Sequence, residues 1–420
     1  MKNEILIKNA RVIDPSRNID KVGDVCAAGG VFVKKVSAKA KVVDAKGLIL
    51  APGFVDMHAH LREPGQTAKE SVATGTAAAA AGGFTSVMAM PNTSPAADSA
   101  ASLRLINDII SATAKVRVYQ SACITEGRAG EKLAPYGTLK KYGVIAITDD
   151  GSCVQNSELM RNAMEYAKMF GLFVMDHCQE YTLTKNGHMH EGEWSVKLGV
   201  GGWPSAGEDI IVSRDAILAH YTNSHIHLQH ISSALSVDII RWAKSRGISI
   251  SAEATPHHLS LTDECLKDYD TNYKMCPPVR AKEDSEALIA GVVDGTIEVI
   301  ATDHAPHTAT EKDREFDCAP FGITGFETAF SVCHNVLVRG KKISMPKLMR
   351  LMSTRPAELL KIDAGTLAEG SPADFVLIDE NAEYVYDKTL SRSENSPWLG
   401  RKLKGRVIST YLGGKLIHNV

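Results

Sequence analysis

The chain has 420 residues, 44% of them hydrophobic, and its 47 Lys+Arg nearly balance 49 Asp+Glu for a net charge of −2. That length suits one large domain plus a smaller module, and the balanced charge excludes the strongly basic signature of a nucleic-acid or anionic-membrane binder. No run of about 18 uncharged apolar residues exists, and no apolar leader with a small-residue cleavage site opens the chain, so a cytoplasmic protein without a membrane span is expected.

In chain order, Ile5–Ile7, Arg11–Ile13, Val31–Val33 and Val42–Val43 read as short strands, separated by turns such as Asp14-Pro15 and Gly29-Gly30. The middle then alternates apolar runs with stretches of helical spacing, such as Ser157–Phe170 and Val237–Ser245. Eight runs qualify as strands: Phe54–His58, Ser86–Met90, Arg117–Ala122, Val144–Thr148, Leu172–Asp176, His225–His230, Ser249–Ala254 and Glu298–Thr302. Eight strands alternating with helices match a (β/α)8 barrel. An open doubly wound sheet is the alternative, but no GxGxxG follows the first strand. Phe375–Ile378, Val407–Thr410 and Lys415–Ile417 read again as strands, so the two β-rich ends are expected to pair as one small β-domain. The eight cysteines (Cys26, Cys123, Cys153, Cys178, Cys265, Cys276, Cys318, Cys333) form no CxxC pair and read as reduced thiols. Thr308–Asp317 is polar and charged, and reads as a mobile loop.

Candidate chemistry sits at strand ends. The first strand ends in Asp56-Met57-His58-Ala59-His60-Leu61-Arg62; residues two apart on an extended chain point to one side, so His58 and His60 can converge on a metal. Taken alone, an HxH is equally compatible with ordinary polar residues at a strand–loop junction. The fourth strand, however, ends in Asp149-Asp150, the fifth in Asp176-His177, the sixth in His230, and the eighth in Asp303-His304-Ala305-Pro306-His307. Barrel enzymes place their chemistry on that carboxyl-end face. Val144, Ala146, Thr148 and Asp150 share one parity, and the small Ala and Thr, against the bulky Ile145 and Ile147 of the other, turn Asp150 inward; His225 and His227 have parity opposite to His230 and read as structural. Six donors (His58, His60, Asp150, His177, His230 and Asp303) exceed one tetrahedral zinc and fit two metals bridged by a carboxylate. Zinc suits nitrogen and carboxylate ligands and brings the pKa of bound water to about 7. Asp303 is the candidate to take and return that water's proton.

These motifs resemble the amidohydrolase superfamily over nearly the whole chain and, within it, the class I dihydroorotases, which interconvert N-carbamoyl-aspartate and dihydroorotate in pyrimidine synthesis. The HxHxR pattern is His58, His60 and Arg62; the SDDG motif is Thr148-Asp149-Asp150-Gly151; His177, His230 and the Ala301–His307 stretch follow. The resemblance implies two zinc ions per subunit, Asp150 as their bridge and Asp303 as general base. It implies that Arg62, Asn92 (of Met90-Pro91-Asn92-Thr93) and His307 hold the substrate carboxylate, and that the backbone of Pro320-Phe321-Gly322 meets the ring. It also implies a composite domain of residues 1–50 plus 365–420, re-entered through Gly365–Asp374, around a barrel of residues 51–364, together with a homodimer; association with aspartate transcarbamoylase is left open. Cys276 stands where the family usually has a substrate-contacting Asn; it is either a poor hydrogen-bonding replacement or inert packing. Arg355-Pro356-Ala357 replaces a usual Asn-Pro-Ala and is expected to be neutral. Glu253, His257 and His258 are expected to support the metal ligands from outside.

Hydantoinases and allantoinases are the neighbouring reading. They bridge their metals with a carboxylated lysine at the end of strand four, where this chain has none; Lys140 and Lys141 lie before the strand. Arg62 suits a substrate with a free carboxylate, unless it pairs with Glu63 as a structural bridge. A non-catalytic scaffold for aspartate transcarbamoylase is the remaining alternative, and such chains lack some of the six ligands.

Overall fold

A computed structural model describes residues 4–420. Eight parallel strands, Phe54–Ala59, Phe84–Ala89, Arg117–Ala122, Ala146–Ile147, Phe173–Asp176, Ile226–Leu228, Ile250–Ala254 and Val299–Ile300, pair in chain order. The ring closes where Ala59 bridges His304 and the His60 amide donates to the His304 carbonyl at 2.9 Å. The expected (β/α)8 barrel is therefore present, with helices between the strands. The fourth and eighth strands are shorter than expected, yet their flanks continue the ladder through single bonds such as Thr148 N to Ala122 O, 2.9 Å, and Ala301 N to Ala254 O, 3.2 Å.

Strand alternation sorts the two faces. Met57, Met88, Met90 and Met175 fill the barrel with Val55, Ala146 and Val299, while Phe54, Phe84, Val87, Ile147 and Val174 face the helices. Each such burial contributes about 1.5–3 kcal/mol. Ala146 shares the inner core and Thr148 reaches across it to Gln229, but Val144 lies with Ile147 in the helix-facing core. Alternation holds only along extended chain, and the strand starts at Ala146. The outer helices are amphipathic and capped: in Ser157–Met169 the buried residues are Met160, Ala163, Met164 and Ala167, and the Asn156 side chain accepts from the Leu159 amide. The alanine-rich helix Val72–Ala81 packs closely because its neighbour Gly82 has no side chain; a Cβ there would sit 2.1 Å from the Phe326 carbonyl oxygen. No described helix is long and apolar enough to cross a membrane.

The chain ends form a second, eight-stranded sheet: Glu4–Asp14, Ile19–Ala28, Val31–Val33, Lys41–Asp44, Ile49–Pro52, Phe375–Val385, Lys402–Leu412 and Lys415–Asn419. Ile5–Ile7 and Arg11–Ile13, read as two strands, belong to one, with an irregularity between Ile7 and Ala10. Two strands escape the sequence reading. Ile19–Ala28 is an edge-side strand carrying Asp20, Lys21 and Asp24, so it lacks a clean apolar stripe. Ile49–Pro52 is buried on both faces and runs across the boundary expected at residue 50, because Ala51 and Pro52 pair with Val376 and Phe375. Thr308–Asp317 is also better packed than its composition implies: it contains the short helix Ala309–Lys312, and Lys312 is buried.

Asp14 ties the two ends together. It is fully buried, accepts from the Ser16 amide and hydroxyl at 3.1 and 2.6 Å, and accepts from the Leu367 amide at 2.8 Å. Asp14→Ala strands that buried amide and is expected to cost about 1–3 kcal/mol. The change should appear as a lower urea midpoint with an unchanged m-value; an unshifted midpoint would mean that water replaces the carboxylate.

Candidate active site

The six expected donors meet at the carboxyl end of the barrel. Asp150 lies centrally, its carboxylate 3.2 Å from His58 Nε2, 3.4 Å from His60 Nε2, 3.5 Å from His177 Nδ1 and 3.8 Å from His230 Nε2. Asp303 lies 3.1 Å from His60 Nε2 and 3.5 Å from His58 Nε2. Three buried groupings, His58/His60/Asp150, His58/His230/Asp303 and Asp150/His177/His230, each bring one ligand atom per residue within 4.8 Å of the others. Asp150, His58 and His230 each belong to two of them; of the three only Asp150, a carboxylate, offers two oxygens. Its neighbour Asp149 turns away and accepts from the amides of Ile124 and Thr125 at 2.8 and 3.1 Å, tying strand-end loops together.

An outer ring fixes which ring nitrogen faces the centre. Glu253 Oε1 takes His58 Nδ1 at 2.7 Å, and its other oxygen lies 3.0 Å from His227 Nε2. Asn92 Oδ1 takes His60 Nδ1 at 2.9 Å, and Gln179 Oε1 takes His177 Nε2 at 3.1 Å. Outer partners of this kind are what metal-binding imidazoles use. His58 Nε2 is buried without a hydrogen-bond partner among the described residues although carboxylates lie beside it, and His177 Nδ1 stands 2.8 Å from His230 Nε2. An orphaned buried nitrogen and two nitrogens turned toward each other are the arrangement a cation satisfies.

The electrostatics agree. Burial pushes the Asp150 carboxyl up, but His58, His177 and His230 outweigh it and hold it well below the usual range. Asp303 is likewise lowered, burial being overcome by His58 and His60. Glu253, against burial, is drawn to about 2 by His227 and His58. Three of the candidate residues, Arg62 (φ 59°), His230 (φ 30°) and Asp303 (φ 45°), occupy the left-handed backbone region, which side-chain-bearing residues usually avoid.

The cluster floors a cavity of about 340 Å³. Arg62 lines it with no carboxylate partner among the described residues: Nε donates to the Pro306 carbonyl at 3.2 Å and Nη2 lies 3.3 Å from His307 Nε2. Glu63 does not pair with it but accepts from the Val72 amide at 2.8 Å. Burial lowers Arg62 to about 10, so it stays charged at neutral pH, while burial and Arg62 together lower His307 to about 2 and keep it neutral. Asn92, Cys276 and Phe321 also line the cavity, with the Cys276 sulfur 3.6 Å from His177 Nε2. Gly322 stands behind them with its backbone engaged: its amide donates to the Lys274 carbonyl at 2.9 Å and its carbonyl accepts from Lys312 and Asn395. Its contribution is steric, since a Cβ there would lie 2.7 Å from His307 Cδ2.

Of the expected outer residues, Glu253 braces His58 and His258 spans Thr255 and the Pro277 carbonyl, while His257 Nε2 has no partner among the described residues. Four residues went unnoticed in the sequence. Asp56 binds the His58 and Thr302 amides, both at 3.1 Å, and joins strands one and eight. Arg128 Nη2 donates to the Asp150 carbonyl and the Ser152 hydroxyl, each at 2.7 Å. Asn395 accepts from the His307 amide at 3.0 Å, and Lys274 is buried behind Phe321. Only Asp56 carried a signal, its place in the Asp-Met-His-Ala-His run.

The dihydro-orotase-like family profile matches residues 47–236. A dihydroorotase of Geotalea daltonii is 48% identical over 421 aligned residues, covering 99% of each chain, and one of Endomicrobium trichonymphae is 44% identical with the same coverage. Among solved structures, the L-hydantoinase (dihydropyrimidinase) of Arthrobacter aurescens superposes with a TM-score of 0.88 at 20% identity, covering 100% of this chain and 96% of that one; it shares the fold. Identity of this degree, sustained from one end of the sequence to the other, makes the chain a member of the dihydroorotase family of cyclic amidohydrolases.

Proposed function

We propose that the chain interconverts L-dihydroorotate and N-carbamoyl-L-aspartate at two zinc ions held by His58, His60, Asp150, His177, His230 and Asp303. One observation carries the assignment of the site: a cluster of six metal-type donors, five of which line a small cavity, faces Arg62, a buried guanidinium that lacks a carboxylate partner among the described residues. The substrate needs both halves, a ring amide to be hydrolysed and a carboxylate to be held. Bound zinc supplies water acidified to about pKa 7 and polarises the amide carbonyl.

The protein's own groups do the rest. Arg62 receives the substrate carboxylate through a charge-assisted pair. Asn92 spends its oxygen on His60, which leaves its amide NH2 to donate to the same carboxylate. His307, neutral beside Arg62, accepts from the guanidinium through Nε2 and so orients it toward the carboxylate without adding charge. Asp303 takes the proton of the attacking water and delivers it to the ring nitrogen as the amide C–N bond breaks. In the biosynthetic direction it removes a proton from the carbamoyl nitrogen, the ring closes, and water leaves. Against burial, His58 and His60 hold the Asp303 carboxyl below the usual range, so it starts as the ionised form that the role requires. Cys276 contributes its bulk and its contact to His177 rather than an amide-type hydrogen bond.

The zinc-loaded chain is expected to hydrolyse dihydroorotate and to leave hydantoin and dihydrouracil largely untouched, with activity lost to a chelator and restored by zinc; preference for either neutral ring would move the chain to the hydantoinase reading. Asp303→Asn should retain metal by elemental analysis and lose about 10²–10⁴-fold in kcat, the usual worth of a positioned general base. Near-normal turnover would remove that role. For Arg62→Met, loss of a charged pair worth about 1.5–3 kcal/mol predicts a KM for dihydroorotate raised about 10- to 150-fold; an unchanged KM would mean that the substrate carboxylate is held elsewhere.

A further inference from the structure

No helix or strand lies between Asp313 and Gly322, yet this segment places Pro320 and Phe321 on the cavity wall. What holds it is a pair of buried lysines. Lys274, 1% exposed, donates to the carbonyls of Phe316, Asp317 and Ala319 at 2.6, 3.1 and 2.7 Å. Its ammonium also lies over the rings of Phe316 and Phe321, 5.2 and 4.6 Å from their centroids. Lys312, 5% exposed, donates to the carbonyls of Pro320 and Gly322 at 3.0 and 3.1 Å.

Neither ammonium has a carboxylate within ion-pair distance among the described residues. A buried lysine without a counter-ion is costly, and burial draws Lys274 to about 8 and Lys312 to about 7. Five carbonyl dipoles from seven consecutive residues, 316–322, offset that cost. The loop shape and the two charges therefore depend on each other. Lys274 also immediately precedes Met275 and Cys276 on the facing wall, and its own carbonyl accepts the Gly322 amide, so it fixes the width of the cavity between the two walls.

We propose that Lys274 and Lys312 are positioning residues that set substrate affinity, holding Pro320 and Phe321 against the bound ring without touching it. This rests on the reaction proposed above. A methionine at either position keeps the volume but removes the donors, so the carbonyls turn to water and the wall loosens.

The test uses zinc-loaded Lys312→Met and Lys274→Met, with steady-state kinetics on dihydroorotate and amide hydrogen exchange. The expected result is a KM raised about tenfold or more, with kcat within about threefold and metal content unchanged. Exchange should accelerate within residues 313–322 and stay at wild-type rates elsewhere. Loop exchange that does not change, or a loss confined to kcat, overturns the proposal. Should Lys274→Met fail to fold, Lys312→Met, whose ammonium contacts only two carbonyls, carries the test. Wild-type turnover is measured alongside: its absence counts against the reaction, while faster loop exchange in the variants counts separately for the lysine clamp.

Discussion

The Asp150 carboxylate, with four imidazoles within 3.8 Å, is the contact on which the rest of the barrel mouth depends. An ionised carboxylate taken out of water costs several kcal/mol unless partners surround it. The partners here come from the ends of strands one, five and six, so satisfying one charge fixes four strand ends relative to one another. The same geometry explains why the cluster reads as a metal site rather than as a set of salt bridges. His58 Nε2 is close to two carboxylates yet aligned with neither, and His177 and His230 point nitrogens at each other. Side chains alone leave those atoms poorly satisfied, and divalent cations would satisfy them.

The inner cluster depends on a ring of neutral and acidic acceptors behind it. Glu253, Asn92 and Gln179 each take the nitrogen that does not face the centre, and so present Nε2, Nε2 and Nδ1 of His58, His60 and His177 inward. Asn92 links this ring to the cavity, because the amide that orients His60 also has a donor to spare. Arg62 meets a different constraint. Its charge is buried, its neighbour Glu63 is engaged with the Val72 amide, and its closest ring is a histidine kept neutral. A cation in that state on a cavity wall, with no carboxylate partner among the described residues, is where the reaction proposed above would hold its anion.

What the sequence made legible is what depends on short-range periodicity. The eight barrel strands, and the placing of His58, His60, Asp150, His177, His230 and Asp303 at their carboxyl ends, follow from alternation and from the rule that barrel chemistry sits at one face. Ile19–Ala28 was not legible because an edge-side strand with exposed charges has no apolar alternation to detect. Arg128, Lys274 and Asn395 were not legible for another reason. Each acts through main-chain carbonyls or amides of distant segments, and a carbonyl partner leaves no mark on residue identity. Lys312 was misleading: in a charged stretch it reads as a solvated side chain, yet carbonyls of a loop with no regular structure bury it.

The sheet built from the chain ends is part of the same mouth. The segment between its strands Phe375–Val385 and Lys402–Leu412 reaches over the barrel, where Asn395 accepts from the His307 amide and donates to the carbonyls of Ala305 and Gly322, all at 3.0 Å. Four residues earlier, the Ser391 hydroxyl and the Arg392 amide bind Glu70, which also lies 3.3 Å from His304 Nε2. His304 follows Asp303 directly and its carbonyl closes the barrel against His60. The residues that follow Asp303 are thus held from the C-terminal part of the chain, while Thr302 before it is held by Asp56. That support explains how Asp303 keeps a left-handed backbone that would otherwise relax: the strain is local, and the hydrogen bonds that oppose its relaxation come from a segment some 90 residues away in sequence.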